Sequence, residues 1–246
     1  MKYLEYLEGV QQILRRVGET QKQALEQTSE LLFSTFQKGG SIYIFGASHA
    51  GILAEEMYCR AGGMMVANPV FNPTLMLNTR PFFVTSEMER LEGFGGVILR
   101  NTSIRAGDVL LIHSVSGRNS VAIDMAMAAR ELGATIVAIT NMTYSRQLTS
   151  RHSSGKKLYE LADIVLDNCG DYGDASVVIG DNGLKAGPTS TVAGAAIINM
   201  LAVEFGHRCT QAGIEPPVYE SANAQQSDEK RTARLLEQYR DQIHYL

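Results

Sequence analysis

Two stretches of this chain carry residue types that could do chemistry. In the first, Gly46-Ala47-Ser48-His49-Ala50-Gly51 follows the apolar run Ser41-Ile42-Tyr43-Ile44-Phe45 and precedes the helix formers Ile52-Leu53-Ala54-Glu55-Glu56. In the second, Ser114-Val115-Ser116-Gly117-Arg118-Asn119-Ser120 follows Asp108-Val109-Leu110-Leu111-Ile112-His113 and precedes another helical pattern. Each reads as a buried strand, a tight turn and a helix. Small residues at such a turn let a ligand approach the backbone, and the first N–H groups of a helix have no internal partner. The guest that suits this arrangement is an anion, a phosphate or carboxylate carried by a small molecule.

For Ser48, Ser114, Ser116 and Asn119 the competing reading is ordinary helix capping, and the repetition of the pattern, with Gly117 beside the second set, favours a ligand. His49 could position a ligand hydroxyl or cap a helix. Thr189, Ser190 and Thr191 open a long apolar helix after Pro188, where hydroxyls serve equally as caps or as ligand contacts. His113 is expected to be a satisfied core histidine facing away from the side Ser114 takes. His207 sits near a helix C-terminus, where a cation is favourable on dipole grounds alone. Asp171 and Asp174 lack calcium-loop spacing, and no Cys and His pair at zinc spacing, so no metal and no cofactor is expected.

The elements that position these residues follow the same rhythm. Residues 1–38 carry an apolar stripe through Leu4, Leu7, Val10, Leu14, Val17, Ala24, Thr28, Leu31 and Phe36, one long N-terminal helix that Gly18 bends or breaks and Gly39-Gly40 ends. It packs along its own domain and is long enough to join a second subunit. After the first turn, a helix runs to Ala61-Gly62-Gly63, Met64 to Ala67 forms a second strand, and Asn68-Pro69 and Asn72-Pro73 are loop. Residues 74–85 read as an irregular segment or edge strand. Ser86-Glu87-Met88-Glu89 is a capping box that starts a helix. The strands at 108–113, 134–140 and 161–167 are apolar on both faces, which means a mostly parallel sheet covered on both sides. A small strand pair spans 177–185, a helix runs from Val192 to about Arg208, and a last amphipathic helix carries Leu235, Leu236 and Tyr239 beyond a polar patch at 221–230.

With 246 residues, 45% hydrophobic and 20% charged, the expectation is one domain: an arm at 1–38, an α/β core at 39–210 and a tail at 211–246. A net charge of −4 offers no basic face for nucleic acid. Three scattered cysteines fit a reducing cytoplasm. The acidic N-terminus lacks a signal-peptide core, and the longest apolar stretch, 192–205, is too short to span a bilayer, so no membrane partner is expected.

In order and spacing, Gly46-Ala47-Ser48-His49, Ser114-Val115-Ser116-Gly117-Arg118-Asn119, the Ile139-Thr140-Asn141 strand end and Ala162-Asp163-Ile164 resemble the sugar isomerase (SIS) family of phosphosugar-binding domains. The resemblance covers nearly the whole chain, and the S-x-S-G-x-N turn is its most specific part. It implies a three-layer, doubly wound α/β fold with a five-stranded parallel sheet of flavodoxin-like order, a homodimer or homotetramer, and a sugar-phosphate ligand at the strand ends. Ser48, Ser114, Ser116, Gly117, Asn119 and Ser190 would then surround the phosphate, with Asn119 standing where the family more often has Ser or Thr. The implied activity is aldose–ketose isomerisation through an enediol; the alternatives are a phosphosugar sensor without chemistry, or a related lyase or epimerase. Isomerisation needs a carboxylate base and an acid or base for ring opening. Glu55, two helical turns beyond Ser48, is the expected base, with Glu92 in reserve, and His49 and His207 are the ring-opening candidates.

Overall fold

The computed structural model describes residues 1–223 and 228–246. The N-terminal stripe forms two helices, α1 (Lys2–Thr20) and α2 (Lys22–Gln37), broken at Gln21. The side chains that reach the core from α1 are Val10, Ile13 and Val17, whereas Leu4 and Leu7 are exposed. Gly39 ends α2 with φ +75, and the N–H groups of Gly39 and Gly40 return to Phe36 and Thr35, which is glycine's use at a helix C-terminus. The arm packs on its own chain: the Tyr6 hydroxyl donates to the Pro188 carbonyl at 2.9 Å.

β1 (Ile42–Gly46) leads through a 3-10 turn (Ser48–Gly51) into α3 (Ile52–Met57). This helix ends four residues before the expected glycine stop. The second strand, β2 (Ala67–Pro69), starts only at the last residue of the apolar run expected to form it. The C-terminal tail claims that run instead: Met64 bridges Val218, and the Met65 N–H donates to Pro217. Proline is tolerated in β2 because the strand lies at the sheet edge, where one N–H is not needed. In the segment 74–85, expected to be irregular or an edge strand, a 3-10 turn (Pro73–Leu75) comes first, residues 76–83 have no regular structure, and Val84 and Thr85 already belong to the next helix. The next helix, α4 (Val84–Met88), starts two residues before the expected capping box, so Ser86 lies inside it and caps nothing.

Gly93, in the left-handed region, opens α5 (Phe94–Arg100). A Cβ on Gly95 would lie 2.1 Å from the Val121 carbonyl oxygen, so α5 can touch the next helix only with glycine there. β3 (Val109–His113), α6 (Ser120–Glu131), β4 (Thr135–Thr140), α7 (Met142–Gln147), α8 (Leu158–Leu161) and β5 (Ile164–Asp167) complete the alternation. The hairpin β6 (Ala175–Val178) and β7 (Lys185–Pro188) precedes α9 (Ser190–Gln211), and α10 (Glu229–Gln238) follows. The expected polar patch at 221–230 lies partly outside the described residues.

The sheet is parallel throughout, in the order β2-β1-β3-β4-β5. Alternation along the strands divides two cores. Ile42, Ile44, Val109, Leu111, Val137 and Ile139 face α2, α3 and α9. Tyr43, Phe45, Leu110, Ile112, Ile136 and Ala138 face α5, α6 and α8. No helix of the described residues is long and apolar enough to cross a membrane.

Candidate functional site

β1 and β3 are neighbours in the sheet, with Gly46 opposite His113, but their helices go to opposite faces. Leu53, Ala54 and Met57 of α3 join one core, and Val121, Ala122 and Met125 of α6 join the other. This divergence opens a crevice at the strand C-termini, the place where such sheets bind ligands. Both small-residue turns flank it, leaving strands about 4.8 Å apart.

The first turn folds back tightly on its strand. A Cβ on Gly46 would lie 2.3 Å from the Ala50 carbonyl oxygen. Ser48 sits at φ +59, a conformation that costs a non-glycine residue about 1 kcal/mol or more, and its hydroxyl has no hydrogen-bond partner among the described residues. Ser48, His49 and Glu55 line one cleft of about 270 Å³, closed on the far side by Phe71, Asn72 and Met76. Glu56, beside Glu55, is committed elsewhere: it accepts from Arg60 and from the Asn199 amide.

The second turn is held from below. The Thr140 hydroxyl lies 2.7 Å from the Ser114 carbonyl oxygen and 3.1 Å from that of Val115. The Asn141 N–H donates to Val115 and the Leu158 N–H to Gly117. Gly117, at φ +60, lies so close to Ser145 that a Cβ would come within 2.9 Å of its hydroxyl oxygen. With its carbonyls anchored, the loop leaves the N–H groups of Ser116 to Asn119 without an acceptor among the described residues, and the Ser114 and Ser116 hydroxyls are equally uncommitted. Such a run of free donors at a helix N-terminus is an anion cradle.

Three arginines crowd this loop, only one of which lies in the motif. The Arg151 guanidinium donates to the Asn119 side-chain oxygen at 2.8 Å, and its backbone N–H donates to the Arg118 carbonyl. Arg90 follows Glu89, whose carbonyl accepts from Val121 at the start of α6. Burial, and then the like charges of Arg118 and Arg90, push the Arg151 guanidinium below its usual range. Burial raises the Glu89 carboxyl, against the opposing effects of Asn119, Arg90 and Arg151. The Arg118 Nε is buried without a partner among the described residues. Sequence spacing signals neither Arg90 nor Arg151, since the fold brings them in from segments about 30 residues away on either side.

His113 departs from the expectation of a satisfied core residue. Its Nδ1 lies 3.0 Å from the Ala50 carbonyl oxygen, so Nδ1 carries the proton and ties the two turns together. Its Nε2 is buried without a partner among the described residues. Burial pushes this imidazole down to about 4, against the smaller opposing effects of Ala50 and Asp174.

The remaining candidates have other partners or positions. The Ser190 hydroxyl donates to the Asp174 carboxylate at 2.7 Å, and the same carboxylate accepts from the Thr189 and Ser190 N–H groups. Asp174 therefore caps α9, and the Ser190 hydroxyl is committed to it. His207 is exposed and lies about 25 Å along the α9 axis from Ser190. Glu92 accepts from the Ser153 N–H and hydroxyl, each at 2.7 Å, which holds its carboxyl below the usual range. No cluster of three or more metal-ligating side chains occurs among the described residues.

Residues 5–141 match the family model described as SIS domain. The whole chain is 44% identical to a UPF0309 protein of Shouchella clausii over 247 positions, covering 100% of both. It is 36% identical to a UPF0309 protein of Streptomyces coelicolor, covering 98% of this chain and 96% of that one. Among solved structures it is similar to a phosphoheptose isomerase from Francisella tularensis, at 17% identity and a TM-score of 0.55 over 84% of this chain and 97% of the other. A phosphoheptose isomerase from Neisseria gonorrhoeae is similar at 18% identity and a TM-score of 0.55, over 83% and 97%. At these identities the two structures report the fold.

Proposed function

The chain belongs to the SIS domain family, and from that premise we propose that it binds a sugar phosphate in the crevice between β1 and β3 and isomerises it. The observation that carries this reading is the second turn, whose carbonyls are anchored while its N–H groups and the Ser114 and Ser116 hydroxyls have no partner among the described residues. The phosphate sits there, with Gly117 permitting the approach and Arg118 and Arg151 supplying countercharge. Asn119, held by Arg151, does not act as the hydroxyl found at that position elsewhere. Ser48 contacts the sugar from the first turn.

Glu55 lies on α3, beyond the 3-10 turn that carries Ser48, and lines the same cleft as Ser48 and His49, which suits the sugar end of the ligand. As base it removes the proton from C2 of the open-chain aldose, leaving an enediolate; the O2 hydroxyl proton passes to O1, and Glu55 returns its proton to C1, giving the ketose. His49 shuttles the hydroxyl proton during ring opening. A second reading, binding without turnover, is favoured by one observation: Glu55 and His49 are both exposed, whereas a working acid–base pair is usually shielded from water. Self-association belongs to the proposal as well. Between α2 and α9 lies a groove of about 1070 Å³ containing Leu25, Leu31, Met200 and Val203, with Val203 73% exposed. The three cysteines are unbridged, which accords with a cytoplasmic location.

Thermal unfolding against sugar phosphates and their unphosphorylated parents tests the binding claim. A ligand at a hundred times its Kd should stabilise the protein by about 2.7 kcal/mol. Phosphates alone should raise the midpoint, and Ser116→Ala should remove the effect. Exchange of deuterium at C2 of the best ligand, lost in Glu55→Gln, supports isomerisation. Binding without exchange supports the second reading.

A further inference from the structure

The loop between α7 and α8 carries Arg151 to the second turn, and the two residues that follow Arg151 are gripped from below. The Ser153 N–H and hydroxyl each donate to the Glu92 carboxylate at 2.7 Å, one to each oxygen. The His152 ring closes over Asp124 of α6, with Nε2 3.1 Å from Oδ1 and only 9% and 10% of the two side chains exposed. The Ser154 N–H donates to the His152 Nδ1 at 3.0 Å, so Nδ1 is an acceptor and Nε2 carries the proton donated to Asp124. Glu92 belongs to the turn before α5 and Asp124 to α6. Two separate parts of the body thus hold consecutive residues of one loop.

Neither carboxylate is spent on the arginine. The Arg151 guanidinium donates to the neutral Asn119 side-chain oxygen at 2.8 Å, and its other N–H groups have no acceptor among the described residues. Glu89 acts on Arg151 by charge, but no hydrogen bond joins them among the described residues, and burial raises the Glu89 carboxyl. The loop therefore fixes a guanidinium beside the anion cradle and leaves its charge without a protein counterion. A side chain held in this way loses little freedom when an oxyanion arrives.

We propose that His152 and Glu92 are positioning residues of the phosphate site: by gripping the loop just after Arg151, they hold its guanidinium over the second turn, where it bonds the phosphate oxygens. This rests on the reading that a phosphate occupies that turn. On charge alone, Glu92 opposes a bound anion. Its hold on the loop acts in the opposite direction, so the sign of its effect is a test.

Isothermal titration calorimetry of the full chain with inorganic phosphate, at fixed pH and ionic strength, reads that sign. Arg151→Ala should weaken phosphate about tenfold. Glu92→Ala and His152→Ala should each weaken it about threefold or more, and His152→Gln, whose amide can still donate to Asp124, should bind more tightly than His152→Ala. Because His152 acts through Arg151, the double variant Arg151→Ala/His152→Ala should bind no worse than Arg151→Ala alone, a coupling that general loosening of the fold would not produce. Glu92 is exposed, so Glu92→Ala still decides the matter should His152→Ala fail to fold. If the wild type takes no phosphate, the phosphate-site reading falls and this proposal falls with it. If the wild type binds, the proposal alone is overturned when Arg151→Ala binds as tightly, when Glu92→Ala binds as tightly or more so, or when the two losses add in the double variant.

Discussion

His113 makes the internal electrostatics of the crevice measurable without knowing the ligand. The perturbation is acid, applied to the wild type and to His113→Asn, which removes the titrating group and retains a donor for the Ala50 carbonyl. In the unfolded chain the imidazole takes up a proton as pH falls through about 6.5. In the folded protein burial keeps it neutral down to about 4. Between those values the unfolded state binds more protons, so stability present above pH 6.5 is lost as pH falls, and the loss levels off below about 4. At about 1.4 kcal/mol per pKa unit, the window is worth about 3 kcal/mol. The assay is urea unfolding from pH 7.5 to 4 at one fixed protein concentration. Every other titrating group is common to both proteins, so it cancels from the difference between their curves. That difference should change by about 3 kcal/mol across the window. Parallel curves would refute the reasoning, because they would mean that the buried Nε2 already has a partner that lets the ring charge.

Three other outcomes follow from geometry. Asp174→Ala should cost about 1–2 kcal/mol by uncapping α9, read as a lower urea midpoint, while Ser190→Ala should leave any phosphate-dependent thermal shift in place because its hydroxyl already serves Asp174. Gly95→Val should destabilise by about 2 kcal/mol or more through collision with the Val121 carbonyl, and unchanged calorimetry would show that α5 and α6 do not meet so closely. Val203→Glu should shift the molar mass by light scattering toward the monomer; an unchanged mass would move the proposed self-association away from the α2–α9 groove.

Much of this molecule is decided locally and could be read from the chain alone. Apolar runs ending in small residues can form little other than buried parallel strands followed by helices, so β1, β3, β4 and β5 lie within a few residues of where periodicity puts them. The two turns are equally legible, since Gly46 and Gly117 stand where a Cβ would collide with backbone or side chain. The errors fall where distant segments compete for the same residues. Met64 and Met65 look like a strand but pair with the tail at Pro217 and Val218, and no local rule reveals that competitor. The hairpin likewise delivers Asp174 to the Ser190 hydroxyl, a partner that spacing does not signal. His113 looks like an ordinary core residue, because only its neighbours in space decide that one ring nitrogen is paired and the other is not. The gathering of Arg90, Arg118 and Arg151 is likewise a product of tertiary structure. Sequence determines what each residue can donate, accept or fill, and the fold determines which of those capacities are spent inside the protein and which remain for a ligand.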